Sequence, residues 1–280
     1  MPVDLHVHSN ASDGVDAPSH VMELAAAAGL SAVALVDHDT FAGIPEARAT
    51  AKDLGITFVS GVELSVEHDG RKMHMLVYFV DAECTDIDTK LAELRAGRTV
   101  RNEQIARNLV RLGYDITIDE VLAEAKGPSV GRPHFADVLV AKGYFSKRDE
   151  VFEALLHDGG AAYAPRERLT ATEAIELANA TGGVAVIAHP ATIAASAVEY
   201  DALFADLAAI GLGGIEAYHS MHTSGLRQHL AEVAASLGLA ATGGSDYHGV
   251  GKRDYRIGVG RGDLSVPESA LEELQNQRNR

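Results

Sequence analysis

Two histidines, His6 and His8, follow the apolar entry Val3-Asp4-Leu5. On a strand, residues two apart share a face, so both imidazoles project together while Val7 turns to the opposite side. Asp13 arrives in a polar turn closed by Gly14, where its carboxylate can swing towards the same point. A lone H-x-H pair is weak evidence for a metal, so its weight depends on what other segments deliver. His38, Glu63, His189 and the pair Asp246 and His248 each stand at or just past the C-terminal end of a different predicted strand, and His74 lies on the fourth. Collected on one face, these are six imidazoles and three carboxylates, enough for two or three divalent ions. Nitrogen and oxygen donors without thiolate suit Zn, Mn or Fe(II) over Mg or Ca. Such a multinuclear site suits hydrolysis at phosphorus: a bridging hydroxide attacks in line, and the ions neutralise the phosphoryl and leaving oxygens.

The elements that must position these donors follow from the hydrophobic pattern. Residues 3–8, 31–36 and 56–60 read as strands, separated by helices over 16–29 and 43–54. Asp69-Gly70 marks a hairpin whose return strand, 72–80, carries His74. This β-α-β-α-β order points to a parallel α/β sheet or barrel. In a parallel barrel the C-terminal strand ends share one face, where active sites are built. From 87 to 157 the pattern is helical throughout, over 87–95, 98–112, 118–125, 132–142 and 147–157. Residues 82–168 therefore read as a helical insertion or lid, with the barrel formed by 1–81 and 169–280. The alternation resumes with a helix over 172–181, a strand over 184–188, a helix over 200–210, a strand over 214–217, a helix over 224–237, a strand over 239–242 and a closing helix over 267–277. Asp16 is placed to cap the first helix.

Four other histidines, His20, His68, His157 and His229, fall on helix or hairpin surfaces and read as solvated. Asp37 and Asp39 read as partners of His38 rather than ligands. The inserted-helix arginines Arg98, Arg101, Arg107 and Arg111 read as a solvated face, with a path for a short nucleic acid strand as the alternative. The hydrophobic fraction of 46% supports a real core. Cys84 is the only cysteine, which excludes an intrachain disulfide and fits a reducing cytoplasm. The N-terminal stretch lacks a signal-peptide pattern, and no apolar run is long enough to span a membrane. A net charge of −16 argues against docking on duplex DNA. It does not exclude a small anionic substrate, because bound cations reverse the local field. No feature of the chain bears on its oligomeric state.

The segments HVHSNASDG, VDHDT, SGVELS, KMHML, AHP and GGSDYH resemble the motifs of the PHP (polymerase and histidinol phosphatase) superfamily, in order and over nearly the whole chain. GRPHFADVLV and YAPRERLTATEAI in and after the insertion resemble the branch of nucleoside 3′,5′-bisphosphate phosphatases and 5′→3′ exoribonucleases on short RNA. The resemblance implies a distorted (β/α)7 TIM-like barrel with a trinuclear centre. By motif position, His6, His8, Glu63 and Asp246 would hold one ion, and Asp13, His38 and His248 a second. Glu63, His74 and His189 would hold a third, with Glu63 bridging. The threonine usual before the DHD motif is Val36 here, a position expected to be buried. Arg132 and His134 begin a predicted helix, where backbone N–H groups also favour anions, and are expected to bind a second phosphate. Arg166 and His222 are further candidates for that role.

The expected activity is removal of a phosphate from a small nucleotide such as a 3′,5′-bisphosphate, with Glu63 and Asp246 central to catalysis. Asp37, His222 or a metal-bound water could supply the leaving group's proton. Stepwise cleavage of short 5′-phosphorylated RNA is the related alternative. Histidinol phosphate hydrolysis is disfavoured by the insertion. A non-catalytic metal-stabilised binding module would predict missing ligands, and none is missing.

Overall fold

A computed structural model describes residues 1–125, 130–166, 168–193, 195–250 and 254–280. Its strands are β1 (Val3–Val7), β2 (Ala32–Leu35), β3 (Thr57–His68), β4 (Arg71–Tyr78), β5 (Leu169–Thr170), β6 (Val184–Ala188), β7 (Gly214–His219) and β8 (Ala240–Gly244). The helices are α1 (Pro18–Ala27), α2 (Ile44–Leu54), α3 (Thr85–Arg111), α4 (Ile118–Ala125), α5 (Arg132–Ala141), α6 (Arg148–Val151), α7 (Ala171–Ala180), α8 (Ala197–Ile210), α9 (Ser224–Leu237) and α10 (Ser269–Arg278). None is long and apolar enough to cross a membrane among the described residues. The chain divides into two compact units, Met1–Thr89 with Arg168–Arg280, and Lys90–Glu167.

In the first unit, seven strands are hydrogen-bonded in the order β1-β2-β3-β4-β6-β7-β8, and β5 pairs with β3 off this path. The apolar runs of β2 and β6 are wholly buried, as expected for strands covered on both faces. The sheet nearly closes on itself through a thin seam. The Asp246 N–H donates to the His6 carbonyl and the His8 N–H to the Tyr247 carbonyl, each at 2.9 Å. One strand departs from the parallel arrangement: β4 runs antiparallel to both β3 and β6. The cause is the tight Asp69-Gly70 turn, whose residues both have positive φ, 48° and 74°, as a two-residue hairpin requires. The reversal sets His74 opposite Ser65 of β3 and Ala188 of β6, at the end where Glu63 and His189 also lie.

Val3, Leu5, Ala34, Val36, Leu76, Tyr78 and Val186 share one buried cluster with Leu271 and Leu274 of α10. The Tyr78 hydroxyl donates to the Leu5 carbonyl at 2.8 Å within it. Val36 is thus core, with no part in ligation. Gly244 lets β8 approach β1: a Cβ there would lie 2.3 Å from the His6 Cβ. The expected cap of α1 is not made by Asp16. Ala17 stands at that position without a side-chain cap, and Asp16 instead accepts from the Tyr247 hydroxyl at 2.7 Å.

The second unit has its own core, including Ile105, Leu109, Val121, Phe135, Leu139 and Leu156. Two helices expected over 87–95 and 98–112 are one continuous helix, α3. Gly97 does not interrupt it, because a single exposed glycine costs a helix only about 1 kcal/mol relative to alanine. Arg101 is not solvated: it is buried and donates to the Asn102 side-chain oxygen.

Candidate metal centre

The strand ends of the barrel bring all nine expected donors together, and Glu63 is their hub. Its Oε1 lies 2.8 Å from His74 Nδ1 and 3.0 Å from His189 Nε2. Its Oε2 lies 3.1, 3.3 and 3.4 Å from Nε2 of His8, His38 and His6. Asp246 Oδ1 stands 3.5 Å from His8 Nε2 and 3.6 Å from His6 Nε2. Asp13 Oδ1 stands 3.2 Å from His248 Nε2. These atoms form four overlapping groups that could each hold a cation: His8, Asp13, His38 and His248; His6, His8 and Asp246; His6, Glu63 and His189; and His38, Glu63 and His74. His74 and His189 share one Glu63 oxygen but fall in different groups. His189 and Asp246 both have positive φ, 27° and 55°, a left-handed backbone that is disfavoured outside glycine and concentrates at functional sites.

The hydrogen bonds show that this site is built for positive charge. His6 Nδ1 donates to Glu216 Oε1 at 2.9 Å, which leaves its Nε2 lone pair facing His8 Nε2 at 3.0 Å. His248 Nδ1 donates to the Asp246 carbonyl at 2.9 Å, so its Nε2 lone pair confronts the Asp13 carboxylate. Acceptors at such distances repel unless a proton or cation lies between them. The titration behaviour agrees. Burial opposes the charge on His6, but Glu216 and Glu63 outweigh it and hold its pKa well above the usual value. Burial likewise opposes the charge on His8, yet Asp246 and Glu63 raise it to about 10. His38 goes the other way, to about 3, because burial together with His8 and His74 outweighs Glu63 and Asp13. Despite burial, the facing imidazoles keep Asp13 and Glu63 well below the usual carboxylate range. The mixed nitrogen and oxygen donor set therefore fits transition-metal cations.

Three further buried groups that support the candidate donors are not among the residues expected from the sequence. Glu216 on β7 is wholly buried: Oε1 accepts from His6, and Oε2 accepts from the His189 backbone N–H at 2.6 Å. One carboxylate thus sets the tautomer of one candidate donor and the backbone of another. Asp4 accepts from the backbone N–H groups of His6 (3.3 Å), Ser245 (2.9 Å) and Gly258 (2.8 Å), tying β1 to the segment that carries Asp246. His219, at the end of β7, is buried beside Asp246. Glu216 carried a signal, a charged residue inside an apolar strand; His219 carried only its nearness to His222.

Other expected residues sit differently. Asp37 does not partner His38. Its carboxylate accepts from the Ser9 N–H (2.8 Å), the Ser9 hydroxyl (2.6 Å) and the Ser12 hydroxyl (2.5 Å), and so holds the loop between His8 and Asp13. Burial raises its pKa despite these bonds, but both oxygens are occupied away from the donor cluster. His222 donates Nδ1–H to the Ala217 carbonyl at 2.9 Å and accepts the Ala191 N–H at Nε2. Burial lowers its pKa to about 4. In the second unit, Arg132 donates to the Leu156 carbonyl (2.9 Å) and Asp158 Oδ1 (3.0 Å), with its guanidinium beside the Phe152 and Tyr163 rings. His134 is fully buried, and its Nδ1 accepts from the Gly131 N–H at 3.0 Å, capping α5. Arg166 is half-buried in the same unit.

The profile of the PHP domain family matches residues 4–179. A 5′-3′ exoribonuclease of Haemophilus influenzae is 36% identical over 245 residues, covering 88% of this chain and 89% of that protein. A phosphoribosyl 1,2-cyclic phosphate 1,2-diphosphodiesterase of Eggerthella lenta is 33% identical, covering 92% and 98%. A 3′,5′-nucleoside bisphosphate phosphatase of Chromobacterium violaceum is 32% identical, covering 91% and 90%. Among solved structures, a provisional metal-dependent phosphoesterase of Bifidobacterium adolescentis superposes with a TM-score of 0.86 at 31% identity, covering 99% and 98%.

Proposed function

The chain belongs to the PHP domain family and is a metal-dependent phosphoesterase, and from that premise we propose that it hydrolyses a small phosphorylated nucleotide, a nucleoside 3′,5′-bisphosphate first among them. The observation that carries the reading is the Glu63-centred cluster, in which the His6 Nε2 lone pair faces His8 and the His248 Nε2 lone pair faces the Asp13 carboxylate. We assign His6, His8, Glu63 and Asp246 to one ion, Asp13, His38 and His248 to a second, and Glu63, His74 and His189 to a third. Bound Mn, Zn or Fe supplies neutralisation of the phosphoryl oxygens and a water acidic enough to attack near neutral pH. The chain's own part is to hold these donors rigid. Glu63 spans two groups through its two oxygens, Glu216 fixes His6 and His189, and Asp37 pins the loop that delivers Asp13.

The substrates named for two relatives each carry a second phosphate beside the one that reacts, and RNA carries one at every linkage. A second-phosphate subsite is therefore the common requirement. Arg132 is our candidate for it, with Arg166 as a further cation. The guanidinium of Arg132 is anchored through Nη1 beside two rings, and a guanidinium suits fork-shaped phosphate recognition. His134 acts indirectly, by fixing Gly131 next to it. The 36% identical exoribonuclease supports cleavage of short 5′-phosphorylated RNA as the second reading. Cys84, the lone cysteine, is consistent with a cytoplasmic setting.

The test is a panel of adenosine 3′,5′-bisphosphate, 5′-phosphorylated di- to pentaribonucleotides, a phosphoribosyl cyclic phosphate, histidinol phosphate and an aryl phosphate, assayed with Mn²⁺, Zn²⁺ or Fe²⁺. We expect the highest kcat/KM on the bisphosphate. A higher kcat/KM on any other member rejects it as the preferred substrate. Arg132→Ala should raise KM for two-phosphate substrates far more than for the aryl phosphate, and equal effects would remove Arg132 from recognition.

A further inference from the structure

Around the barrel, β1, β3, β4, β6 and β8 carry donors on the strand or just past its end, and His38 follows β2. β7 supplies none to the nine, yet it ends in a fully buried histidine, His219. Its Nδ1 accepts the Met221 N–H at 3.2 Å, so the ring proton sits on Nε2. That N–H has no hydrogen-bond partner, although a buried donor is costly to leave unpaired. It faces Asp246 Oδ2 at 3.6 Å. The other oxygen, Oδ1, faces His6, His8 and His248. The imidazole is held in place: its ring meets Tyr255 edge-on and tilts against His189, and the His219 carbonyl accepts from Arg227 Nε at 3.1 Å. The Asp246 backbone is equally fixed, by its N–H bond to His6.

We propose that His219 is a positioning residue that donates its Nε2 proton to Asp246 Oδ2, so that Asp246 presents only Oδ1 to a cation. The inference rests on the metal reading of the site. Closing the gap to a normal N–H···O distance takes about 0.6 Å of carboxylate rotation. The proton on Nε2 also keeps His219 from being a ligand itself. With Glu216, this makes β7 the strand that orients ligands borne by three others: His6, His189 and Asp246.

The test is competition of Mn²⁺ between the protein and a chelating dye for wild type, His219→Phe and His219→Gln. Phe removes the donor and keeps the bulk; Gln keeps an N–H at similar reach. We expect Phe to weaken Mn²⁺ binding by ~10- to 100-fold, whatever Tm change the loss of the Met221 N–H acceptor brings to the metal-free protein, with recovery of kcat and KM at saturating Mn²⁺. Gln should return the affinity to within about threefold of wild type, since the pair again has its donor. Affinity within about twofold for Phe, or an equal loss for Gln, overturns the proposal. So does a KM that stays raised at saturating Mn²⁺, which would make His219 a substrate contact. A wild type that takes up no Mn²⁺, Zn²⁺ or Fe²⁺ overturns the metal reading and this inference together. Should Phe fail to fold, ¹⁵N–¹H correlation of the zinc-loaded wild type decides the matter. A slowly exchanging proton on His219 Nε2 is expected, and its absence refutes the assignment.

Discussion

Replacing Glu216 by glutamine tests whether the site depends on a carboxylate that touches no cation. Glu216 accepts two bonds from two different donors, His6 Nδ1–H at 2.9 Å and the His189 N–H at 2.6 Å. Its carboxyl stays ionised: burial pushes its pKa up, but His6 and His219 bring it down to about 2. Glutamine has one carbonyl oxygen and one NH₂, so in either orientation one of the two donors meets another donor. A buried donor left without an acceptor costs about 1–3 kcal/mol. If the orphan is His6, its imidazole can also move its proton to Nε2 and lose its lone pair for the metal. At 1.4 kcal/mol per tenfold, Glu216→Gln should weaken metal binding by ~10- to 100-fold. The assay is competition of Mn²⁺ or Zn²⁺ with a chelating dye, run beside thermal unfolding of the metal-free protein. A variant that binds metal within about twofold of wild type, with unaltered unfolding, would falsify the claim that Glu216 sets the tautomer of His6.

Further outcomes follow from the same geometry. Glu63→Gln or Asp246→Asn should each lower kcat on any accepted phosphate ester by at least ~10²-fold, and full activity in either would reject the cluster as the reaction centre. Gly244→Ala should destabilise the fold by at least ~1–3 kcal/mol in urea unfolding, because its methyl group would overlap the His6 side chain and β8 would have to withdraw from β1. The raised pKa of His8 acts in opposite directions on the two states. In the metal-free protein its stabilising contribution is complete below the ordinary pKa of 6.5 and is lost as pH rises through about 10. Metal binding needs the neutral imidazole, so affinity should rise over the same window, by up to ~10-fold per pH unit for one released proton. Isothermal titration in buffers of different ionisation heats would show that proton, and a buffer-independent heat would exclude it.

The candidate donors were legible because a strand end is a recognisable place in a sequence. An apolar run such as Ala32–Leu35 or Val184–Ala188 stops, and the polar residue just beyond it is aimed by the sheet. The same logic failed where a residue's role depends on partners that lie far away in the chain. Asp37 stands next to His38 but is held by Ser9 and Ser12, 28 and 25 positions earlier. His222 and His219 share one short segment, and only the tautomers set by Ala217 and Met221 show which of them keeps a proton facing the site. Glu216 was readable as an oddity in its strand, but its partners His6 and His189 come from opposite parts of the chain. Gly97 falls in the gap between the helices read over 87–95 and 98–112, and a glycine permits a break in a helix without imposing one.

The thin seam between β1 and β8 also has a consequence for the order of folding. His6 lies on β1 and His8 just past its end, at the start of the ring, whereas Asp246 and His248 follow its last strand. Asp4 and the Ser245 N–H that it accepts are 241 positions apart. Contacts of such separation must overcome loop-closure entropy before they contribute anything, and high contact order slows folding. The β3–β4 hairpin and its pairing with β6 can form before β8 is synthesised. Glu63, His74 and His189 can therefore assemble early, while the donors at the seam come together only when the ring closes. Acquisition of the complete ligand set would then report that the barrel has finished folding.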